Sequence, residues 1–187
     1  MLGGRYRYSR TVATYAESIY DMPGEQRSLT QAYGLTYTPD DAWTYGLSFE
    51  TGTVREAVDD DDFDRTAVSL GAAYTRDENL SMRARLEYLT EDNDAGDRDR
   101  DTIALTAGYA NQVADDWRLL TDLEALYSDS ASGAFSDGEY LRATLGYAYR
   151  PLDNERLNML FRVTALEDQP SEDQLDATGN DEGPNQR

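Results

Sequence analysis

The charged side chains that could do chemistry sit in a pattern: Glu50, Arg83, Arg85, Glu87, Arg118, Asp122, Glu124, Arg142 and Arg162. Each falls inside a segment where apolar residues recur at every second position. Asp122 and Glu124, two residues apart, have the types needed for acid–base work. With Arg83, Arg85 and Arg118 on the same parity of neighbouring segments, the same carboxylates read as members of an ion-pair network. The chain has no histidine and no cysteine, which excludes a histidine-activated serine and a thiolate nucleophile. Two acidic runs, Asp59-Asp60-Asp61-Asp62 with Asp64, and Asp92, Asp94, Asp97, Asp99 and Asp101, offer the oxygen ligands that suit Ca²⁺ or Mg²⁺. The second run lacks the spacing and closing glutamate of a helix-loop-helix calcium site. Solvated acidic loops are the expectation, with no metal, no cofactor and no enzymatic activity.

The elements that carry these charges are strands. From Ser28 to Gly52, Leu29, Tyr33, Leu35, Tyr37, Trp43, Tyr45, Leu47 and Phe49 hold one parity, and Thr, Ala, Gly and Ser fill the other. That alternation marks a strand with one apolar face. Pro39-Asp40-Asp41 between the two halves is turn chemistry. The unit recurs. Val68 to Tyr74 leads through Arg76–Asn79 to Leu80–Tyr88, and Ile103 to Tyr109 leads through Asn111–Asp116 to Trp117–Tyr127. Leu141 to Tyr149 leads through Pro151–Arg156 to Leu157–Ala165. The first large residue after each turn stands at Trp43, Leu80, Trp117 and Leu157, spaced by 37, 37 and 40 residues, which is an internal repeat. Residues 5–20 read as one more strand, with a bulge near Ala13 where the apolar parity switches. About nine strands of about ten residues follow, joined as an up-and-down meander.

Short turns at one end, long polar loops at the other and strands of this length predict an all-β, up-and-down antiparallel transmembrane β-barrel, or an open part of one. All nine in-strand charges take the parity opposite the apolar set, an outcome that chance gives about once in five hundred trials at even odds per residue. An arginine facing lipid at mid-depth costs about 2–4 kcal/mol, so the nine are expected to face the lumen. Tyr37, Trp43, Tyr74, Tyr109, Trp117 and Tyr149 lie near the short turns, and Phe49, Tyr88 and Tyr127 near the long loops. Two aromatic belts suit two membrane interfaces. Residues 1–168 form the barrel segment in this reading, and 169–187 a polar loop or disordered tail.

The chain is strongly acidic, with 17 Lys+Arg against 37 Asp+Glu and a net charge of −20 over 187 residues. That balance excludes phosphate-driven binding of nucleic acid. Five loop and tail segments hold −1, −6, −4, −3 and −6 of that charge, so the strands are close to neutral. Mean hydropathy is −0.74, and there is no apolar run long enough for a membrane helix.

The alternating strands, with Tyr149-Arg150-Pro151 and Asp153-Asn154-Glu155-Arg156-Leu157-Asn158, resemble the barrel region of Gram-negative outer-membrane proteins. The resemblance extends over residues 4–168 and is nearest to the barrels of large bacterial surface proteins with tandem repeats. It implies an outer-membrane location, contact with membrane lipid and lipopolysaccharide, insertion by the barrel-assembly machinery and a non-enzymatic role as membrane anchor. Weak divalent bridging to lipopolysaccharide phosphates would use the acidic loops. A porin-like passive channel and a soluble all-β binding module are the alternatives. Asn185-Gln186-Arg187 echoes Glu25-Gln26-Arg27, which leads into a strand at Ser28, so further strands of a parent chain are expected.

The parity argument is testable by an arginine scan. Leu70→Arg and Leu105→Arg should abolish assembly into vesicles, while Ser69→Arg and Thr106→Arg should be milder, as scored by protease protection. Equal tolerance at both parities would overturn the assignment of faces.

Overall fold

The computed structural model describes residues 2–21, 26–56, 62–94, 99–130, 138–151, 157–170 and 185–186. They form one antiparallel sheet in which chain order is spatial order. Its strands are β1 (Leu2–Arg7), β2 (Val12–Asp21), β3 (Gln26–Tyr37), β4 (Trp43–Glu56), β5 (Asp62–Thr75), β6 (Leu80–Asp92), β7 (Arg100–Ala114), β8 (Trp117–Ser130), β9 (Gly138–Tyr149), β10 (Met159–Pro170) and β11 (Asn185–Gln186). The meander is the expected one, but it holds ten long strands and a two-residue eleventh rather than nine.

The extra strand comes from the start of the chain. Residues 5–20 are a hairpin, not a bulged strand, so Tyr6 and Tyr15 sit on two different strands. Ser9 makes the turn. Its Oγ accepts the N–H groups of Thr11 and Val12 at 3.1 and 3.0 Å, while the Tyr8 N–H donates to the Val12 carbonyl at 3.0 Å. A serine that bonds its own backbone two and three residues on is a turn former. Among the described residues a register shift lies instead between Gln112 and Ala114, where β7 runs on to Ala114 and leaves Asp115-Asp116 as the turn. Strands β4 to β8 are 13 to 15 residues long, longer than the alternation alone suggested. They extend into the acidic segments, placing Asp62, Asp64, Asp92 and Asp101 on strands rather than in loops. Asp59, Asp60, Asp61 and Asp97 lie outside the described residues, as do 152–156 of the fifth turn and 171–184 of the expected tail. Asn185 and Gln186 pair with Asp168 and Glu167 of β10.

The short turns share one device. Asp40 Oδ1 accepts the N–H groups of Ala42 and Trp43, both at 2.8 Å. Asp77 Oδ1 accepts those of Asn79 and Leu80 at 2.8 and 3.2 Å. Each aspartate satisfies two donors that the ladder leaves over where the chain reverses. Successive turns are then linked by backbone bonds, such as Thr75 N–H to Ala42 O and Gln112 N–H to Asn79 O, at 2.8 and 2.7 Å.

The ladders fix which side chains share a face. Leu35, Leu47, Leu70, Leu86 and Leu105 are successive partners and run as one row across β3 to β7. Toward the loops, Tyr33, Phe49, Val68, Tyr88, Ile103 and Tyr127 make the next row. Toward the turns, Trp43, Tyr74, Met82 and Tyr109 make another. Trp43 stacks on Tyr45 with centroids 5.6 Å apart, and Trp117 on Tyr147 at 4.6 Å. The face is thus a leucine and alanine band between two aromatic rows, about 20 Å from row to row at about 3.4 Å per residue.

Burial is inverted relative to an ordinary sheet protein. Among the described residues, the buried ones besides Gly146 and Pro151 are Ala32, Phe63, Ala67, Ser69 and Ser128, and the ladders put all five on the face opposite the leucines. The apolar face is open: Leu70 is 56% exposed, Leu47 46% and Leu145 51%. No described side chain of any size is fully buried. At Gly34 a Cβ would lie 2.0 Å from Cε1 of Tyr15, because that ring lies flat across β3. β1 and β10 do not pair with one another, so the sheet is open at both edges.

Asp40→Ala and Asp77→Ala should each destabilise the sheet by about 1–2 kcal/mol in urea titrations, and the asparagine variants should restore most of the loss. Alanine variants with unchanged midpoints would show that these turns need no side-chain acceptor.

Candidate functional site

The nine charges singled out from the sequence lie on one face, the one that holds the buried Ala32, Ala67, Ser69 and Ser128, although Arg83, Arg85, Arg118, Asp122, Arg142 and Arg162 are themselves exposed. One row across the sheet reads Gly71, Arg85, Thr106, Glu124, Arg142 and Leu166. The next reads Ala73, Arg83, Gly108, Asp122, Thr144 and Thr164. Glu87 stands opposite Ser69 and Ala104, Glu50 opposite Ala32 and Ala67, Arg118 opposite Gln112 and Ala148, and Arg162 opposite Gly146.

The structure pairs six of the nine. Arg142 bonds Glu124 of its direct cross-strand partner position. Arg85 bonds Glu87, two residues along β6, at 2.6 Å. Arg83 reaches past β7 altogether and meets Asp122 on β8 at 3.3 Å. The strand between them offers Gly108 at the crossing point, where a Cβ would lie 2.9 Å from the Arg83 Nε. The glycine is there because the guanidinium passes over it. Glu50, Arg118 and Arg162 make no ion pair with another described residue.

Sequence reading missed a second charged cluster on this face. Arg65, Glu91 and Arg100 are successive ladder partners on β5, β6 and β7, and Glu91 takes both guanidiniums, at 3.8 Å from Arg65 and in close contact with Arg100. Glu91 is the most sheltered acid among the ion pairs of the described residues, with its side chain 13% exposed. The signal was present, since Glu91 continues the parity of Glu87, and Arg65 that of Ala67. It was hidden because these residues flank acidic runs that read as loop. Arg5, Arg7 and Glu17 join the same face through β1 and β2.

Chemically, the face offers paired charges and hydroxyls. Ser48 and Ser69 hydroxyls bond at 2.6 Å, Thr102 and Ser128 at 3.2 Å, and Thr144 and Thr164 at 3.2 Å. Both members of the Asp122/Glu124 pair accept from guanidiniums on different strands, and the two do not converge on a common point. Among the described residues there is no group of three or more acids, histidines or cysteines arranged to hold a metal ion.

The Arg83–Asp122 side chains are 76% and 61% exposed, so a double-mutant cycle with Arg83→Gln and Asp122→Asn should give a coupling of about 0.2–1 kcal/mol, erased by 1 M salt. In a Gly108→Val background the coupling should vanish even at low salt. Retention of the coupling beside valine would show that the guanidinium does not need that passage. No protein-family model matches this chain, and no curated protein sequence does either.

Proposed function

We propose that this chain is a non-enzymatic β-barrel segment of a bacterial outer membrane, acting as the membrane anchor or structural module of a larger surface protein. The observation that carries the reading is the inverted burial. Leu35, Leu47, Leu70 and Leu86 make a row that is open on the outside, while Ser69, Ser128 and small alanines are sheltered. Leaving one such leucine in water forgoes about 1.5–3 kcal/mol. A whole face of them is affordable only where the surroundings are themselves apolar. Hydrocarbon supplies that, and it demands closed or otherwise satisfied strand edges. The aromatic rows bracketing the band suit the two interfaces, and polar pairing on the other face keeps charge out of lipid. Its partners in this reading are membrane lipid, lipopolysaccharide and the machinery that inserts barrels.

The test is location followed by conductance. Expressed with an export signal, the chain should sediment with outer membranes, resist carbonate extraction and dissolve only in detergent. Recovery as a monodisperse species in plain buffer would overturn the membrane reading. In planar bilayers an anchor should give no steady current, whereas ohmic conductance abolished by blocking substitutions at Arg83 and Arg85 would replace the anchor with a passive channel.

A further inference from the structure

The apolar face has an uneven rim at its loop end. Two to six residues beyond the last apolar side chain, the outward residue is acidic on every strand from β5 to β10: Asp62 and Asp64, Asp92, Asp101, Asp129, Glu139 and Glu167. β3 and β4 break the rule. There the outward rim residues are Arg27 and Arg55, placed directly opposite one another in the ladder. Two like charges at about 5 Å between their Cβ atoms repel, in a chain whose net charge is −20. The only described counter-charge in contact is Asp62, 3.0 Å from the Arg55 Nε. That bond engages Arg55 through its Nε, and the Arg55 side chain is still 70% exposed. Arg27 makes no ion pair with a described residue.

The two arginines border a recess of about 790 Å³ with Tyr20, Leu29, Gln31, Thr51 and Thr53. Tyr20 and Leu29 are ladder partners, 55% and 50% exposed, and are the topmost apolar side chains on that flank among the described residues. Arg27 is the next outward residue above Leu29. Apolar contact below, with the exposed guanidinium of Arg55 and an Arg27 that pairs with no described acid directly above, is the arrangement of an amphiphile's binding site. Asp64 and Asp92 stand on the β5–β6 side of the recess, so an anion is confined to the β2–β4 side, beside Tyr20 and Arg27.

We infer that this recess binds the phosphate of a membrane lipid headgroup, with Arg27 and the terminal nitrogens of Arg55 as donors and Leu29 and Tyr20 against the first part of the acyl or sugar moiety. Arginine suits the task because its planar fork donates to two phosphate oxygens at once. The inference rests on the membrane reading above, since it needs the leucine band to lie in lipid.

Native mass spectrometry of detergent-solubilised protein provides the test. Phosphatidylglycerol and an uncharged glycolipid of matched chains are titrated against the wild type, Arg27→Gln/Arg55→Gln and Arg76→Gln, the last an arginine at the turn end. Phosphatidylglycerol should bind the wild type and Arg76→Gln alike, and about tenfold or more weaker to the double variant, while the uncharged lipid should not distinguish them. Equal phosphatidylglycerol binding by the double variant would overturn the site. Displacement by millimolar inorganic phosphate would overturn the lipid assignment and leave a site for free anions. A chain that stays dispersed in buffer and ignores both lipids would mark failure of the membrane reading itself, which is a different result from loss confined to the double variant.

Discussion

The pleat of a strand assigns every side chain to one of two faces, and nothing between is allowed. In this chain that constraint separates leucine from arginine along each long strand. Leu86 and Arg85 are neighbours in sequence and point to opposite sides of the sheet. A one-residue slip anywhere would put Arg83, Arg85 and Glu87 among the leucines. Register is therefore held by strong penalties on both faces, and the turns must deliver each strand in the correct phase. Ser9, Asp40 and Asp77 do so by satisfying the same two backbone donors at each reversal.

The polar face has its own requirement. Long charged side chains on β6 and β8 need room, and β5 and β7 supply it with Ala67, Ser69, Gly71, Ala104, Thr106 and Gly108. Gly108 shows why the alternation of strand types matters, since it is what lets Arg83 and Asp122 meet across an intervening strand. Gly34 plays the same part for an aromatic, with Tyr15 laid across it. The small residues thus let large neighbours on adjacent strands lie down over them.

Much of this was legible in the residues because period two survives tertiary context. The strands, their faces and the common side of the nine charges all follow from parity. What was not legible depended on events that parity cannot encode. The shift between Tyr6 and Tyr15 has two explanations, a bulge or a turn, and the choice rests on one serine hydroxyl folding back on Thr11 and Val12. The Arg65–Glu91–Arg100 cluster was masked by the acidic residues around it, since a run of aspartates looks solvated whether or not its outer members pair in a ladder. Ion-pair partners two strands apart cannot be read from spacing at all.

The edges limit how the sheet can exist in lipid. Val163 is 68% exposed and Leu2 81%, more than the apolar side chains of the central strands, and the outward backbone groups of β1 and of most of β10 lack a ladder partner among the described residues. Each such group costs several kcal/mol in hydrocarbon. Among the described residues β11 covers β10 at Glu167 and Asp168, near the loop end. Because ten long strands alternate in direction, β1 and β10 run antiparallel, so either edge can accept the other or an additional strand without a crossover. An open sheet with this outer face is stable neither in water, where the leucines object, nor in lipid, where the edges do. The membrane reading therefore holds only for a closed ring, and satisfied edges follow from the same leucine row that argues for lipid.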